Sequence, residues 1–169
     1  DGTSVTVNGR EGAEQKIQLV DGKAELSVVL GREGQTRNYQ FSLHTKSSDT
    51  SLGQLQVSFS TIVNVFEMEM EPAFQPDITE YNSSLFGSGK DREPYYIWPV
   101  AADSKATVKV TAVYGVDGVR SGQEITPATA AFDDQIRARY KVRPLSETDP
   151  ARICITVTAE DGVTTRSYY

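Results

Sequence analysis

Apolar and polar residues alternate along most of the chain in short stretches. In residues 24–30, 39–43 and 55–59, every second side chain is apolar. A period of two is typical of β-strands that bury one face. Pairs such as Asp21-Gly22 and Asp161-Gly162 follow or precede these stretches, and glycine readily adopts the positive φ that tight hairpin turns need. The pattern predicts an all-β protein built as an antiparallel sandwich.

The same chain contains an internal repeat. A shift of 129 residues (153 − 24) places residues 24–30 on residues 153–159 and continues without a gap until Tyr39 meets Tyr168. A weaker match, with a shift of 103 residues (108 − 5), places Val5 on Val108. The two shifts differ by 26 residues (129 − 103), which predicts an insertion in the second copy. Two unequal copies of one β-unit indicate a tandem array.

Two motifs carry a resemblance to a known family. Residues 70–81 read MEPAFQPDITEY, and residues 157–169 read VTAEDGVTTRSYY. Together they resemble the cadherin-like β-sandwich repeat of bacterial and some eukaryotic surface proteins, in which a proline-flanked corner and a closing hairpin recur. The resemblance covers residues 52–169 as one nearly complete repeat and residues 3–43 as the second half of a preceding one.

The resemblance implies an immunoglobulin-like or cadherin-like antiparallel β-sandwich. On this reading residues 1–46 form the C-terminal part of a first repeat, and residues 47–51 form a linker. Residues 52–169 form the second repeat, with an insertion within 111–152. The expected location, extracellular or at the cell surface, is likewise implied by the resemblance.

Four residues define the structural corner predicted at 70–81. Pro72 and Pro76 fix φ and remove two backbone donors, so the chain is expected to leave one sheet there and cross to the other. We expect Phe74 to plug the end of the core. Tyr81 is expected to anchor the crossing through its ring and hydroxyl, as corner tyrosines do in immunoglobulin-like sandwiches.

The first unit has an apolar face but neither an opening strand nor a proline-flanked corner. At about 25 cal/mol per Å2, a few hundred Å2 of bare apolar face costs several kcal/mol. That cost is comparable with the whole stability of a small domain. The sequence therefore predicts that residues 1–43 are completed by a neighbouring repeat of the same or another chain. Unpaired strand edges also favour homotypic lengthwise assembly.

Composition excludes several classes of function. The 169 residues carry a formal charge of −6, which is the wrong sign for a protein that binds nucleic acid. No apolar run approaches the roughly 18 residues that cross a bilayer, so no membrane insertion is predicted in this segment. One cysteine and one histidine argue against disulfide frameworks, Cys/His zinc sites and most histidine-based catalysis. True cadherins hold calcium with acidic linker motifs, but the linker here offers only Asp49. No catalytic residue, metal or cofactor is predicted.

A small group of residues could contact ligands. The alternation places Tyr96 and Trp98 together on the face expected to be core, and it turns Tyr95 outward as the better candidate for contact with a sugar. Asn82 begins an Asn-Ser-Ser sequence, which fits the acceptor pattern for N-glycosylation in secreted eukaryotic proteins.

The sequence thus predicts a non-catalytic structural or adhesive spacer repeat of an extracellular, cell-surface or filament protein. It would act through stacked sandwiches and through contacts of strand edges or loops with neighbouring repeats. The alternative is a carbohydrate-binding accessory module that recognises glycans through Tyr95 and the insertion.

Overall fold

A computed structural model describes residues 2–12, 14–58, 68–83, 94–132, 135–145 and 150–169. These residues form antiparallel β-sheets and contain no helix. The chain divides into two compact units, residues 1–46 (unit 1) and residues 47–169 (unit 2). The all-β, antiparallel class predicted from the period of two is confirmed.

Unit 1 is a single sheet in the part of it that the structure describes. Its strands are β1 (Thr3–Val7), β2 (Arg10–Glu11), β3 (Lys23–Arg32) and β4 (Gln35–His44), in the order β2-β1-β3-β4. Strands β3 and β4 are joined by the two-residue turn Glu33-Gly34, whose φ values are 52° and 79°. Two consecutive positive φ angles are typical of the hairpin turn that matches the right-handed twist of the strands.

Unit 2 contains two larger sheets and one small one. Its strands are β5 (Leu52–Ser58), β6 (Met70–Glu71), β7 (Asn82–Ser83), β8 (Tyr95–Ala101), β9 (Thr107–Tyr114), β10 (Ala128–Phe132), β11 (Gln135–Val142), β12 (Arg152–Thr158) and β13 (Thr165–Tyr168). The first sheet has the order β10-β11-β8-β5 and the second has the order β13-β12-β9. Strands β6 and β7 pair separately.

The core of unit 2 receives side chains from both larger sheets. Among its buried members are Leu52, Leu55, Val57, Ile97, Tyr140 and Val142 from the first sheet, and Val110, Ala112, Ile155, Val157 and Tyr168 from the second. Two antiparallel sheets that share one core form a sandwich-like arrangement. The alternation of apolar residues therefore specified which side chains of a strand share a face, and for β5, β9 and β12 it also specified the face that is buried.

The internal repeat has a counterpart in the sheet topology of the two units. Strands β1, β3 and β4 are hydrogen-bonded neighbours in that order, as are β9, β12 and β13. In unit 1 one row of cross-strand partners is Val7, Val28 and Tyr39. In unit 2 the row Val110, Ile155 and Tyr168 lies across the equivalent strands. We refer to these two sets as the matched rows.

The matched rows correct the sequence alignment of the two copies. The predicted match runs from β3 into β4 without a gap and places Leu26 on Ile155. In the matched rows Val28 corresponds to Ile155 instead, so the predicted alignment of β3 was wrong by two residues. The difference lies in the hairpin. Four residues separate the partners Gly31 and Thr36, whereas six separate Thr158 and Thr165. A shift of two residues keeps every side chain on the same face of its strand, so the pattern of apolar and polar residues did not reveal the misalignment.

Candidate functional site

The proline corner, residues 72–81, is closed by Tyr81. The Tyr81 hydroxyl donates a hydrogen bond to the Gln75 carbonyl oxygen over 2.6 Å and accepts one from the Gln75 backbone N–H over 3.2 Å. Its ring lies 6.0 Å from that of Phe74, measured between centroids, and both side chains pack against the core. The structure thus places Phe74 and Tyr81 together and gives the Tyr81 hydroxyl two backbone partners within the corner.

Backbone hydrogen bonds join the corner to the residue that follows β13. The Tyr81 N–H donates to the Tyr169 carbonyl oxygen over 2.8 Å, and the Tyr169 N–H donates to the Thr79 carbonyl oxygen over 2.7 Å. The corner therefore continues the second sheet beyond β13. These bonds pair the corner with the backbone of Tyr169, at the end of that sheet.

Tyr168 connects the corner, β5 and β13 through one hydroxyl group. This group accepts a hydrogen bond from the Leu52 backbone N–H over 3.0 Å and donates one to the Pro76 carbonyl oxygen over 3.1 Å. Tyr168 and Leu52 are both 0% exposed. The sequence predicted an anchoring role for Tyr81 but not for Tyr168. The alignment of Tyr168 with Tyr39 in the internal repeat was the feature of the sequence that could have drawn attention to Tyr168.

Charged residues surround the corner where it meets the second sheet. Arg166 donates a hydrogen bond to the Pro76 carbonyl oxygen over 3.4 Å, and its guanidinium lies 4.0 Å from the Asp77 carboxylate. Arg152 pairs with Glu80 over 2.8 Å, and its guanidinium lies 4.9 Å from the centre of the Tyr169 ring. Exposed pairs of this kind contribute little stability.

Tyr95, the predicted ligand contact, lies on the core side of β8. It is the cross-strand partner of the buried Val142, and it packs, partly buried, against the core. Burial raises the pKa of the Tyr95 hydroxyl above its ordinary value. The expectation that Tyr95 turns outward was therefore wrong. The alternation of β8 was predicted correctly, but the core lies on the opposite face from the one chosen.

Tyr96 and Trp98 occupy the other face of the first sheet, where they are only 6% and 2% exposed. The Trp98 Nε1–H donates to the Ser58 hydroxyl over 3.0 Å. The Arg139 guanidinium lies 4.9 Å from the centre of the Tyr96 ring and 5.9 Å from that of Trp98. The prediction that both rings are packed is confirmed, although not on the predicted side. Since Arg139 lies over both rings, they do not form an open platform for a sugar.

Asn82 is exposed at the start of β7, opposite Glu71. The third residue of its acceptor sequence, Ser84, lies outside the described residues. Glycosylation at Asn82 stays a prediction. The lone Cys154 is partly buried on β12, and its Sγ lies 3.6 Å from the Thr156 hydroxyl.

Metal ligands do not cluster in the described part of the chain. No group of three or more His, Cys, Asp and Glu side chains there could hold a metal ion. Asp49 of the predicted linker instead accepts hydrogen bonds from the Ser51 backbone N–H over 2.8 Å and from the Ser51 hydroxyl over 2.7 Å. These hydrogen bonds lower the pKa of the Asp49 carboxyl. Across the same described ranges, no helix is long and apolar enough to cross a membrane.

Comparisons with known proteins identify no relative. The chain matches no family model, no curated protein and no solved structure. The cadherin-like character of the repeat, its extracellular location and the carbohydrate-binding alternative stay predictions. The sheets, the corner and the matched rows are the observations on which a function can be proposed.

Proposed function

We propose that this protein is a non-catalytic structural or adhesive spacer in an extracellular or cell-surface tandem-repeat protein of the cadherin-like type. The observation that carries the proposal is the path of the chain through unit 2. The chain enters the unit beside the hairpin that precedes β13, and β13 then carries it away from that point. A module with this path transmits tension along its length, as a spacer must.

The start of unit 2 is fixed by hydrogen bonds to the β12–β13 hairpin. The Ser47 backbone N–H donates to the Glu160 carboxylate over 3.0 Å, and the Ser47 carbonyl oxygen accepts from the Asp161 N–H over 3.1 Å. Thr50 is buried. The segment predicted to be a linker is therefore attached to unit 2 along its length, and such attachment limits flexing at the point of entry.

The other end of β13 is held by the corner. From Thr165 to Tyr168 the strand advances by about 3.3 Å per residue, roughly 10 Å in total, away from the hairpin. Tyr169 then makes its two backbone hydrogen bonds with the corner. Tension applied between Ser47 and Tyr169 loads the β12–β13 ladder, the corner and the Tyr168 hydroxyl together. The proposal follows from this shared loading and from the two copies of one sheet topology.

A force-spectroscopy experiment tests the proposal. Handles are attached through cysteines introduced at Ser47 and Tyr169, in a chain that carries Cys154→Ser. We expect unit 2 to unfold in one cooperative event, because the ladder and the corner must break together. The control places the handles at Ser47 and Asp161, two hydrogen-bonded neighbours, so that most of the ladder is not stretched. Equal unfolding forces in the two geometries would contradict a spacer role.

A further inference from the structure

One face of the unit 1 sheet is apolar and open, whereas the other face is polar. Cross-strand pairing assigns to the open face the side chains of Val5, Val7, Ala24, Leu26, Val28, Leu30, Tyr39, Phe41 and Leu43. Four of these are exposed, with values from 37% for Leu30 to 49% for Phe41. Soluble proteins rarely leave a contiguous apolar patch of more than a few hundred Å2 uncovered, and such patches mark interaction sites.

Unit 2 shows what covers the equivalent face. In its matched row Val110 and Tyr168 are 0% exposed. At the equivalent positions of unit 1, Val7 is 8% exposed and Tyr39 is 41% exposed, so the unit 1 face is open on the side of β4. The cover consists of the first sheet, which contributes residues such as Leu52 and Val57 to the common core. The proline corner completes the cover at the end of the core. A sheet of this topology is thus buried by an apolar β-layer that begins with β5.

Polar residues on the open face also match their counterparts in unit 2. Arg37 is the cross-strand partner of Leu30, as Arg166 is of Val157. In unit 2, Arg166 and Tyr168 both bond the Pro76 carbonyl oxygen, and Arg166 faces Asp77. The pair Arg37 and Tyr39 therefore has the same hydrogen-bond donors at the same spacing. The described residues of unit 1 contain no proline corner that could accept these hydrogen bonds.

We propose that the open face of unit 1 binds a β-segment with the chemistry of residues 47–104, supplied by another polypeptide segment. The bound segment consists of an opening strand with alternating apolar residues and a proline corner that carries an exposed carbonyl and a carboxylate. The Tyr39 hydroxyl bonds the backbone of this strand and of its corner, and Arg37 bonds the corner. The inference deepens the proposed function by giving the chemistry of the neighbouring repeat.

Two open faces of separate copies do not satisfy these groups. Arg10, Arg32 and Arg37 lie on the open face, and no acidic side chain of β1 to β4 lies there with them, although Arg32 pairs over 3.7 Å with Glu33 of the β3–β4 turn. Face-to-face pairing would therefore bring like charges together. It would also bury two Tyr39 hydroxyls against apolar side chains, without the backbone partners that Tyr168 has, and an unpaired buried hydroxyl is costly. Charge and hydrogen bonding both favour a β5-type layer with its corner.

A lengthened chain tests the inference. A copy of residues 47–104 is joined ahead of Gly2, so that a β5-to-β8 segment precedes β1 with the spacing at which β5 to β8 precede β9. The probe is a thiol introduced by Phe41→Cys, with Cys154→Ser in all chains. We expect the rate of thiol labelling to fall about tenfold or more relative to the unextended chain, because a packed core residue reacts only after local opening.

The matched control carries Leu52→Asp and Leu55→Asp in the added copy only, and its thiol should react as fast as that of the unextended chain. In the lengthened chain, Tyr39→Phe should restore part of the labelling rate. Equal labelling of the lengthened and control chains would overturn the inference. So would a dimer of the unextended chain, seen by sedimentation, in which the thiol is protected. The two experiments can fail separately. Slow labelling of the lengthened chain, together with equal unfolding forces in the two handle geometries, would support the docking inference and contradict the spacer function.

Discussion

The backbone N–H of Leu52 donates a hydrogen bond to the hydroxyl of Tyr168, and both residues are fully buried. The bond joins the first strand of unit 2 to its last. The same hydroxyl reaches the corner at Pro76. One side chain therefore links three segments that are distant in sequence. Among the described residues of unit 1, its counterpart Tyr39 makes no such link to a β5-type strand.

Tyr168→Phe should lower the free energy of unfolding of unit 2 by about 1 to 3 kcal/mol, because it leaves the buried Leu52 N–H without an acceptor. Urea unfolding followed by circular dichroism measures the change. The matched control is Tyr39→Phe, which removes the same atom from an exposed ring and should change the stability by less than about 0.5 kcal/mol. Equal effects of the two variants would show that the Tyr168 hydroxyl does not join β5 to β13.

Tyr81→Phe should cost about 1 kcal/mol, because the hydroxyl loses its two backbone partners at Gln75 while the ring stays against Phe74. Tyr81→Ala should cost more, since the aromatic contact is lost as well. Chemical denaturation of the two variants separates the hydrogen bonds from the ring packing. If Tyr81→Phe is as stable as the parent, the hydroxyl does not hold the corner closed.

Gly115 should not tolerate a side chain. Its φ is +71°, and a Cβ there would overlap the Pro150 carbonyl oxygen and lie 3.0 Å from the Ala151 Cα. Gly118 has a φ of +73°, but a Cβ there would meet nothing within 4 Å. Both Gly→Ala variants carry the cost of a left-handed backbone, about 1 to 2 kcal/mol. Thermal unfolding should show a further loss of about 1 to 3 kcal/mol for Gly115→Ala alone.

Unit 2 should lose stability at alkaline pH through its buried tyrosines. Burial raises the pKa of Tyr140, helped by the negative charge of Glu124, and burial also raises the pKa of Tyr95. The folded state then holds these protons more tightly than the unfolded state. The stabilising contribution is present below the unfolded pKa of about 10 and is lost as the pH rises through the higher folded pKa.

Urea unfolding across this alkaline range measures the pH dependence, and tyrosinate absorbance follows the ionisation directly. Tyr140→Phe should reduce the slope of stability against pH, because one shifted group is removed. It should also lower the stability at neutral pH, since the Tyr140 hydroxyl donates to the Val108 carbonyl oxygen over 3.2 Å. A slope unaltered by both Tyr140→Phe and Tyr95→Phe would contradict this account.

The alternation of residues on β3, β5, β9 and β12 was sufficient to predict strands and to decide which side chains share a face. This information is local, because side chains of a strand point alternately to its two faces. The proline-flanked turn could be located from the sequence, since Pro72 and Pro76 act on their own backbone and on nearby hydrogen bonds. The predicted crossing of the chain from one sheet to the other at these prolines stays a prediction, and the strands on either side of the turn, β6 and β7, pair with each other. The repeat could be found because its matched residues keep their order along the chain.

Tertiary structure alone decided which face of β8 meets the core. Tyr95 and Tyr96 are both aromatic, and the strand carries large side chains on its two faces, so the two faces could not be distinguished by their residue types. The two-residue difference between the hairpins was equally hidden, because an even shift keeps every side chain on its own face. The role of the Tyr168 hydroxyl depends on Leu52 and Pro76, which are distant in sequence and meet only when the sheets and the corner assemble. Sequence therefore determined the local β-pattern, and the packing of distant segments determined how that pattern is covered and held.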